Sequence, residues 1–308
     1  MKALVTGGAG FIGGHIARDL VRRNFEVTIV DNLHTGDLKN IPKEAEFYNL
    51  NISSDKISFL FEEDFELIYH FAGQSSVELS YKDPIYDLRT NTESTLRLLN
   101  GFQNKNCHFI YASSMSVYGG KLPMPKNEKC LREGCNFYAV GKKTSEDYLK
   151  IFSNNSINTT SLRLFNIYGP GQNLNNLSQG MLSIYLAQAI KKKKILVKGS
   201  LDRSRDFVHI YDVLRFLRRI ENNKRSFGEE INICSGKEVS VIEVIDSIKK
   251  NFKEEISIEI KPGTPGDINR MVGDPKKLKK ITEIATSIDI DFGVSTMLKS
   301  LEEGTYYE

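Results

Sequence analysis

Tyr138 and Lys142 stand four residues apart in the stretch NFYAVGKKTSEDYLK, residues 136–150. On a helix, that spacing puts both side chains on one face and close enough to interact. An ammonium beside a phenol favours the phenolate and lowers a pKa that starts near about 10. A phenol tuned in this way takes and returns a proton near neutral pH. Ser114 ends the run FIYASS, 24 residues before Tyr138, and its hydroxyl can donate a hydrogen bond to the same phenol oxygen. A tyrosine and a lysine on a solvated helix face share the same local pattern. The surroundings must therefore decide whether the pair does chemistry.

The N-terminal stretch VTGGAGFIGGHIA supplies one such surrounding. Gly7, Gly10 and Gly13 recur every third residue, and Gly8, Gly10 and Gly13 satisfy G-x-G-x-x-G around Phe11 and Ile12. Glycines allow a tight turn, a close backbone approach to a pyrophosphate and close packing of helix on strand, with the helix N-terminus facing the phosphate charge. Asp31 ends the second apolar run, EVTIVD, 18 residues beyond Gly13, and Asn32 follows it. A carboxylate at that place accepts from ribose hydroxyls and repels a 2′-phosphate. No arginine follows in DNLHTG, so NAD is expected over NADP. In HFAG, Phe71, Ala72 and Gly73 close a further strand with residues that can lie along the pyrophosphate. His70 is expected to be a packed core histidine. Asn91 falls within a helix, where its amide can fix a loop, bind a ribose or satisfy the core.

The elements that must position these residues alternate. KALVT, EVTIVD, AEFYNL, FELIYHFAG, CHFIYASS and NTTSLRLFN read as strands. FIGGHIARDLVRRN, PIYDLRTNTESTLRLLNGFQN and the stretch opening at Asn136 read as helices. Near-continuous apolar strands alternating with helices predict an α/β fold: a Rossmann-type, doubly wound parallel sheet. From about Asn166 glycine, proline and asparagine collect and the elements shorten. The reading is a dinucleotide-binding domain over residues 1–165, with the chain returning to it around 207–233. A smaller mixed α/β lobe takes residues 166–206 and 234–308. The chain has 308 residues, enough for two lobes. Its 42 basic and 39 acidic residues are too evenly balanced to indicate nucleic-acid binding. Lys191–Lys194 reads as a solvated helix end. Four cysteines without Cys-x-x-Cys spacing indicate neither a metal site nor a disulfide framework, so no metal is expected and a reducing compartment fits. No signal peptide or membrane-spanning run is apparent, and a cytoplasmic protein without a membrane partner is expected.

Taken in order, TGGAGFIG, HFAG, SSMSVYG, YAVGK, LRLFNIYGPGQN and RDFVHIYDV resemble the extended short-chain dehydrogenase/reductases of the NAD-dependent epimerase/dehydratase family. The resemblance runs over essentially the whole chain and is strongest to UDP-glucose 4-epimerases and related nucleotide-sugar epimerases. It implies Ser114, Tyr138 and Lys142 as the catalytic trio, with Lys142 also on the nicotinamide ribose. Phe165 and Asn166 match the segment that follows the nicotinamide and meets the sugar diphosphate, and Arg205 matches an arginine that pairs with the nucleotide's phosphates. Asn51, followed by Ile52, stands where many relatives have an aspartate near the adenine; an amide can still bond it. Met115 and Ser116 stand where the 4,6-dehydratases carry an Asp–Glu pair, and the decarboxylases keep a glutamate at the second place. Both reactions lose support. Thr264 stands where relatives offer a phosphate-binding arginine, and Arg270 and Arg203 are candidates to replace it. The expected function is NAD-dependent 4-epimerisation of a nucleotide-linked hexose, UDP-glucose/UDP-galactose or an N-acetylated or related sugar, through a transient 4-keto intermediate. A 4-keto-sugar reductase or dehydrogenase, or an inert NAD-sensing module, are the alternatives. Apolar residues on more than one face of the helices at 84–103 and 137–153, such as Leu96, Leu98, Leu99, Tyr148, Leu149 and Phe152, together with the resemblance, predict a homodimer.

Overall fold

The computed structural model describes residues 1–120, 123–175, 180–263 and 268–304. Its centre is a seven-stranded, all-parallel sheet. Across the sheet the strands run Glu229–Ile233, Asn158–Leu164, His108–Ser114, Leu67–His70, Lys2–Thr6, Glu26–Asp31 and Glu46–Asn49. The order reverses between Lys2–Thr6 and Leu67–His70. The first strand has Glu26–Asp31 on one side and Leu67–His70 on the other, so a crevice opens at their carboxyl ends, the place where ligands bind in open α/β sheets.

The inner strands are apolar because both their faces are covered. All four residues of Leu67–His70 and all seven of His108–Ser114 are buried. On one face, Ile16, Ala17 and Leu20 of helix Phe11–Arg22 pack with Val213, Phe216 and Leu217 of helix Ile210–Ile220. Arg23 and Arg218 bridge these two helices through Asp19 and Glu221. Strand Glu229–Ile233 then joins the sheet edge beside Asn158–Leu164. On the other face, Leu98, Leu99, Phe102 and Leu149 form a second core. A third core, with Leu186, Val197, Ile245 and Met297 at its centre, belongs to later parts of the chain. It is built on helices Met181–Lys192, Val241–Lys249 and Ile290–Glu303 and the strand pair Lys194–Lys198 and Ser257–Lys261.

Two local readings need correction. The strand expected through Asn166 stops at Leu164. The Phe165 amide still bonds Ile233 O at 3.2 Å, but Asn166–Tyr168 then pairs with Phe207–His209 in a separate two-stranded sheet. The break turns Phe165 and Asn166 over the crevice. The single helix expected from Pro84 is α-helical over Pro84–Leu88, makes a π turn over Arg89–Glu93 and resumes over Ser94–Gly101. Such wide turns accommodate an extra residue per turn and often occur at functional sites. This one buries Thr90, Asn91 and Thr92.

Candidate active site

The crevice is a cleft of about 610 Å³. Its nucleotide end is the turn between strand Lys2–Thr6 and helix Phe11–Arg22. Gly7 has φ +73°, and a β-carbon there would come within 2.5 Å of the Ala72 amide nitrogen. A β-carbon on Gly13 would overlap the Gly7 carbonyl oxygen. Helix Phe11–Arg22 starts at Gly10 with no side-chain cap, so its first amides stay open to an anion in the cleft. Gly10, Phe11 and Ile12 line the wall beside them. Asp31 is set at the next strand's end, where Oδ2 accepts from Ala9 N at 3.0 Å and Oδ1 from Leu33 N at 2.8 Å. Burial nonetheless raises its pKa. Each oxygen keeps lone pairs for a further donor. Asn32, Asn51 and Ile52 continue this wall, and Phe71, Ala72 and Gly73 form the one opposite.

At the chemical end, Asn136 caps helix Phe137–Asn155 by accepting from Ala139 N at 2.8 Å. That sets the first turn of the helix, and with it Tyr138 and Lys142, over the carboxyl end of strand His108–Ser114. All three of Ser114, Tyr138 and Lys142 line the cleft and are at most 9% exposed. Lys142 Nζ donates to Ala112 O at 2.8 Å and lies 5.8 Å from the Tyr138 ring centroid. The phenol does not behave as its neighbours alone would imply. Burial pushes Tyr138 up to about 12; the Ser114 hydroxyl pulls it down and the Asp87 charge adds to the rise. The expectation that the Lys142 ammonium brings the phenol toward neutrality is therefore not met by the protein alone. The ammonium is bonded to a carbonyl rather than to the phenol oxygen, and burial is the largest effect on the phenol. The same burial pushes Lys142 down to about 8, against the opposing charges of Asp87 and Glu146. Ser114 makes its own bonds to Ser116, accepting from its amide at 3.2 Å and donating to its hydroxyl at 3.1 Å.

Phe165 and Asn166 line the far wall, with the Asn166 amide bonded to Asp206 O at 2.9 Å. Two of the residues singled out from the sequence do not reach the cleft wall. Asn91 lies just behind it, donating to Gln74 O and to Asp87 Oδ1, each at 3.0 Å, while its own Oδ1 is buried without a hydrogen-bond partner. Arg205 Nη1 donates to Ser204 O at 2.8 Å. Arg270 is held by Glu238, and Thr264 lies outside the described residues. His70 is a core histidine: it bonds Thr6 at 2.8 Å and Thr95 at 3.0 Å, and burial lowers it to about 3. The sequence reading missed Asp87, which bonds Gln74 and faces helix Phe137–Asn155, and Gln74, Gln172 and Ser183, which line the cleft. A lone acid in a helix and a glutamine in a loop carry no spacing signal.

An uncapped glycine turn at a switch point, facing a buried tyrosine–lysine pair, defines a dinucleotide-dependent enzyme. The chain belongs to the NAD dependent epimerase/dehydratase family, whose profile matches residues 3–234, and NAD is its cofactor. It is 34% identical over 287 residues to a Methanocaldococcus jannaschii protein that carries the name UDP-glucose 4-epimerase, covering 90% of this chain and 91% of the relative. It is 26% identical to UDP-glucuronic acid decarboxylase 6 of Arabidopsis thaliana, covering 96% and 88%. Among solved structures it resembles the UDP-glucose 4-epimerase of Thermotoga maritima with UDP-glucose, with a TM-score of 0.92, 27% identity and 99% of both chains covered. Among the described residues no helix is long and apolar enough to cross a membrane, and no cluster of three or more metal-ligating side chains occurs.

Proposed function

We propose that the protein interconverts nucleotide-linked hexoses at C4, with UDP as the nucleotide. The observation that supports this most directly is the meeting of Ser114, Tyr138 and Lys142 with the glycine turn and Asp31 in one cleft. In this reading Gly7, Gly10 and Gly13 hold the pyrophosphate of NAD, Asp31 holds the adenosine ribose and Lys142 the nicotinamide ribose. NAD, when bound, supplies a hydride acceptor, a hydride donor and a positive charge in the cleft. Tyr138 takes the O4 proton and later returns it, with Ser114 bonding the same oxygen. Burial holds the phenol up at about 12 in the protein alone, and NAD, when bound, would add a positive charge beside it. The 4-keto sugar turns over between the two half-reactions, while remote contacts to the nucleotide keep it in the site. The lobe built on the third core holds the nucleotide, with Asn166 beside the sugar and Arg205 toward the phosphates. Met115 and Ser116 leave no acid at the two places after Ser114 where the resemblance puts one for elimination or decarboxylation, so both reactions have less support.

Incubation with a panel of nucleotide sugars, with sugar stereochemistry read by NMR, tests this reading. C4 epimers should accumulate without added or consumed NAD. Net formation of a pentose or a deoxy sugar would displace it, and cofactor turnover in step with product would favour a reductase. We also propose a homodimer. Leu98, Leu99 and Leu149 are spent on the sheet-facing core, but Ile85, Leu88, Val140 and Ile151 on the same helices are each at least 49% exposed. Exposed apolar side chains gathered on one face mark an interface. Light scattering at micromolar concentration should return twice the 34.9 kDa chain mass, and a monomer mass would rule the dimer out.

A further inference from the structure

Asp87, on helix Pro84–Leu88, is 2% exposed, and none of the described lysines or arginines forms an ion pair with it. Its Oδ1 accepts from two neutral amides, Gln74 Nε2 at 2.5 Å and Asn91 Nδ2 at 3.0 Å. Its Oδ2 faces the catalytic helix, 3.6 Å from where a β-carbon on Gly141 would stand, one residue before Lys142. The other carboxylate near Lys142, Glu146, is already taken by Arg163, Arg132 and Ser113. Lys142 in turn spends one of its three N–H donors on Ala112 O. Lys142 Nζ and the unpartnered Asn91 Oδ1 converge on the same glycine: they lie 3.5 and 2.6 Å from a β-carbon position on Gly73. Gln74 bonds Ser76 through both ends of its amide, donating to the carbonyl and accepting from the amide nitrogen.

We propose that Asp87 is the buried counter-charge of Lys142 and a positioning residue of the site, keeping Lys142 an ammonium and holding the loop Gly73–Ser76 against it through Gln74 and Asn91. The proposal deepens the reading of Lys142 as part of the proton-handling pair and rests on it. A buried ammonium without hydration gives up its proton unless an opposite charge is near, and a buried carboxylate bonded only by amides has the mirror problem. Each stabilises the other's charged form, as the opposing effects on Lys142 and Asp87 show. The other titratable groups facing the pair are His70 and Tyr111 on the sheet and Tyr138 and Glu146 on the catalytic helix. Asp83 and Tyr86 lie on Asp87's own side. Burial keeps His70 neutral and the two tyrosines protonated in the free protein, and Glu146 is neutralised by its arginines. Asp87 is thus the one carboxylate near Lys142 whose charge is not already matched.

The test uses the full chain without substrate. In ¹³Cε-lysine NMR, with the Lys142 signal assigned by its loss in Lys142→Met, Asp87→Asn should move the Lys142 titration about one pH unit down. Asp87→Glu should leave it near wild type. Asparagine can still accept both amide bonds, so a purely structural role predicts no shift. The reciprocal arm leaves Asp87 intact: in Lys142→Met the Asp87 carboxyl, followed by a ¹³C label, should titrate about one pH unit higher, because coupling acts equally in both directions. Unshifted titration of Lys142 in a folded Asp87→Asn, or of Asp87 in Lys142→Met, overturns the proposal. If both shifts appear but no nucleotide sugar turns over, the counter-charge stands and the proposed reaction fails.

Discussion

At the nucleotide end of the cleft the working surface is backbone; at the chemical end it is buried side chains. Gly7, Gly10 and Gly13 contribute by what they lack, and helix Phe11–Arg22 presents open amides whose partial charge does not depend on pH. Tyr138, Lys142 and Asp87 contribute ionisable groups that are 8%, 5% and 2% exposed, and burial moves each of them away from its ordinary pKa. The first end is a matter of shape and tolerates changes in charge at a distance. The second is a matter of electrostatics, in which one added or removed charge resets its neighbours.

That contrast breaks if the two ends fail to separate on mutation. Tyr138→Phe should have the largest effect on turnover, a loss of about 10²–10⁴-fold, the worth of a positioned general acid–base. The ring still fills its space, so melting temperature and NAD affinity should hold. Near-normal activity on the best nucleotide sugar would end the proposed mechanism. Lys142→Met should lose nearly as much, and its residual rate should climb with pH as the phenol ionises unaided. A flat pH–rate profile would show that the ammonium acts only through cofactor contact. Gly13→Ala reverses the pattern: its β-carbon meets the Gly7 carbonyl, the turn must open, and NAD affinity should fall at least about tenfold by calorimetric titration. Unchanged NAD affinity there would remove the turn from the cofactor site. Asp31→Ala should be the mildest. It removes a charge that favours ribose hydroxyls and opposes a 2′-phosphate, so the preference for NAD over NADP should shrink by about one order of magnitude. Tighter NADP binding by the wild-type protein would contradict the assignment of Asp31.

The difference between the ends also explains which residues are legible in the amino-acid sequence. Glycine spacing, a strand before and a helix after are local, and Gly7, Gly10, Gly13 and Asp31 line the cleft. The i, i+4 pairing of Tyr138 with Lys142 is local too, and its face follows from helical geometry alone. Arg205 shows where motif order stops being enough. It matches by motif order alone, and its guanidinium bonds the backbone carbonyls of Ser204 and Asn269. Asn91 is legible only as an amide inside a helix. Whether it serves loop, ribose or core is decided by the π turn at Arg89–Glu93, which aims it at Gln74 and Asp87.

The amino-acid sequence by itself determined the alternation of strands and helices, the parallel sheet, the glycine turn and the i, i+4 pairing of Tyr138 with Lys142. Each of these is written in periodicity or short spacing, which operate over a few residues. Only the tertiary structure decided the protonation of that pair. Desolvation and charge act through space: they couple Asp87, Tyr138 and Lys142, buried side chains that lie up to 55 positions apart in the chain. There burial raises the phenol and lowers the ammonium, and no pattern along the chain records either shift.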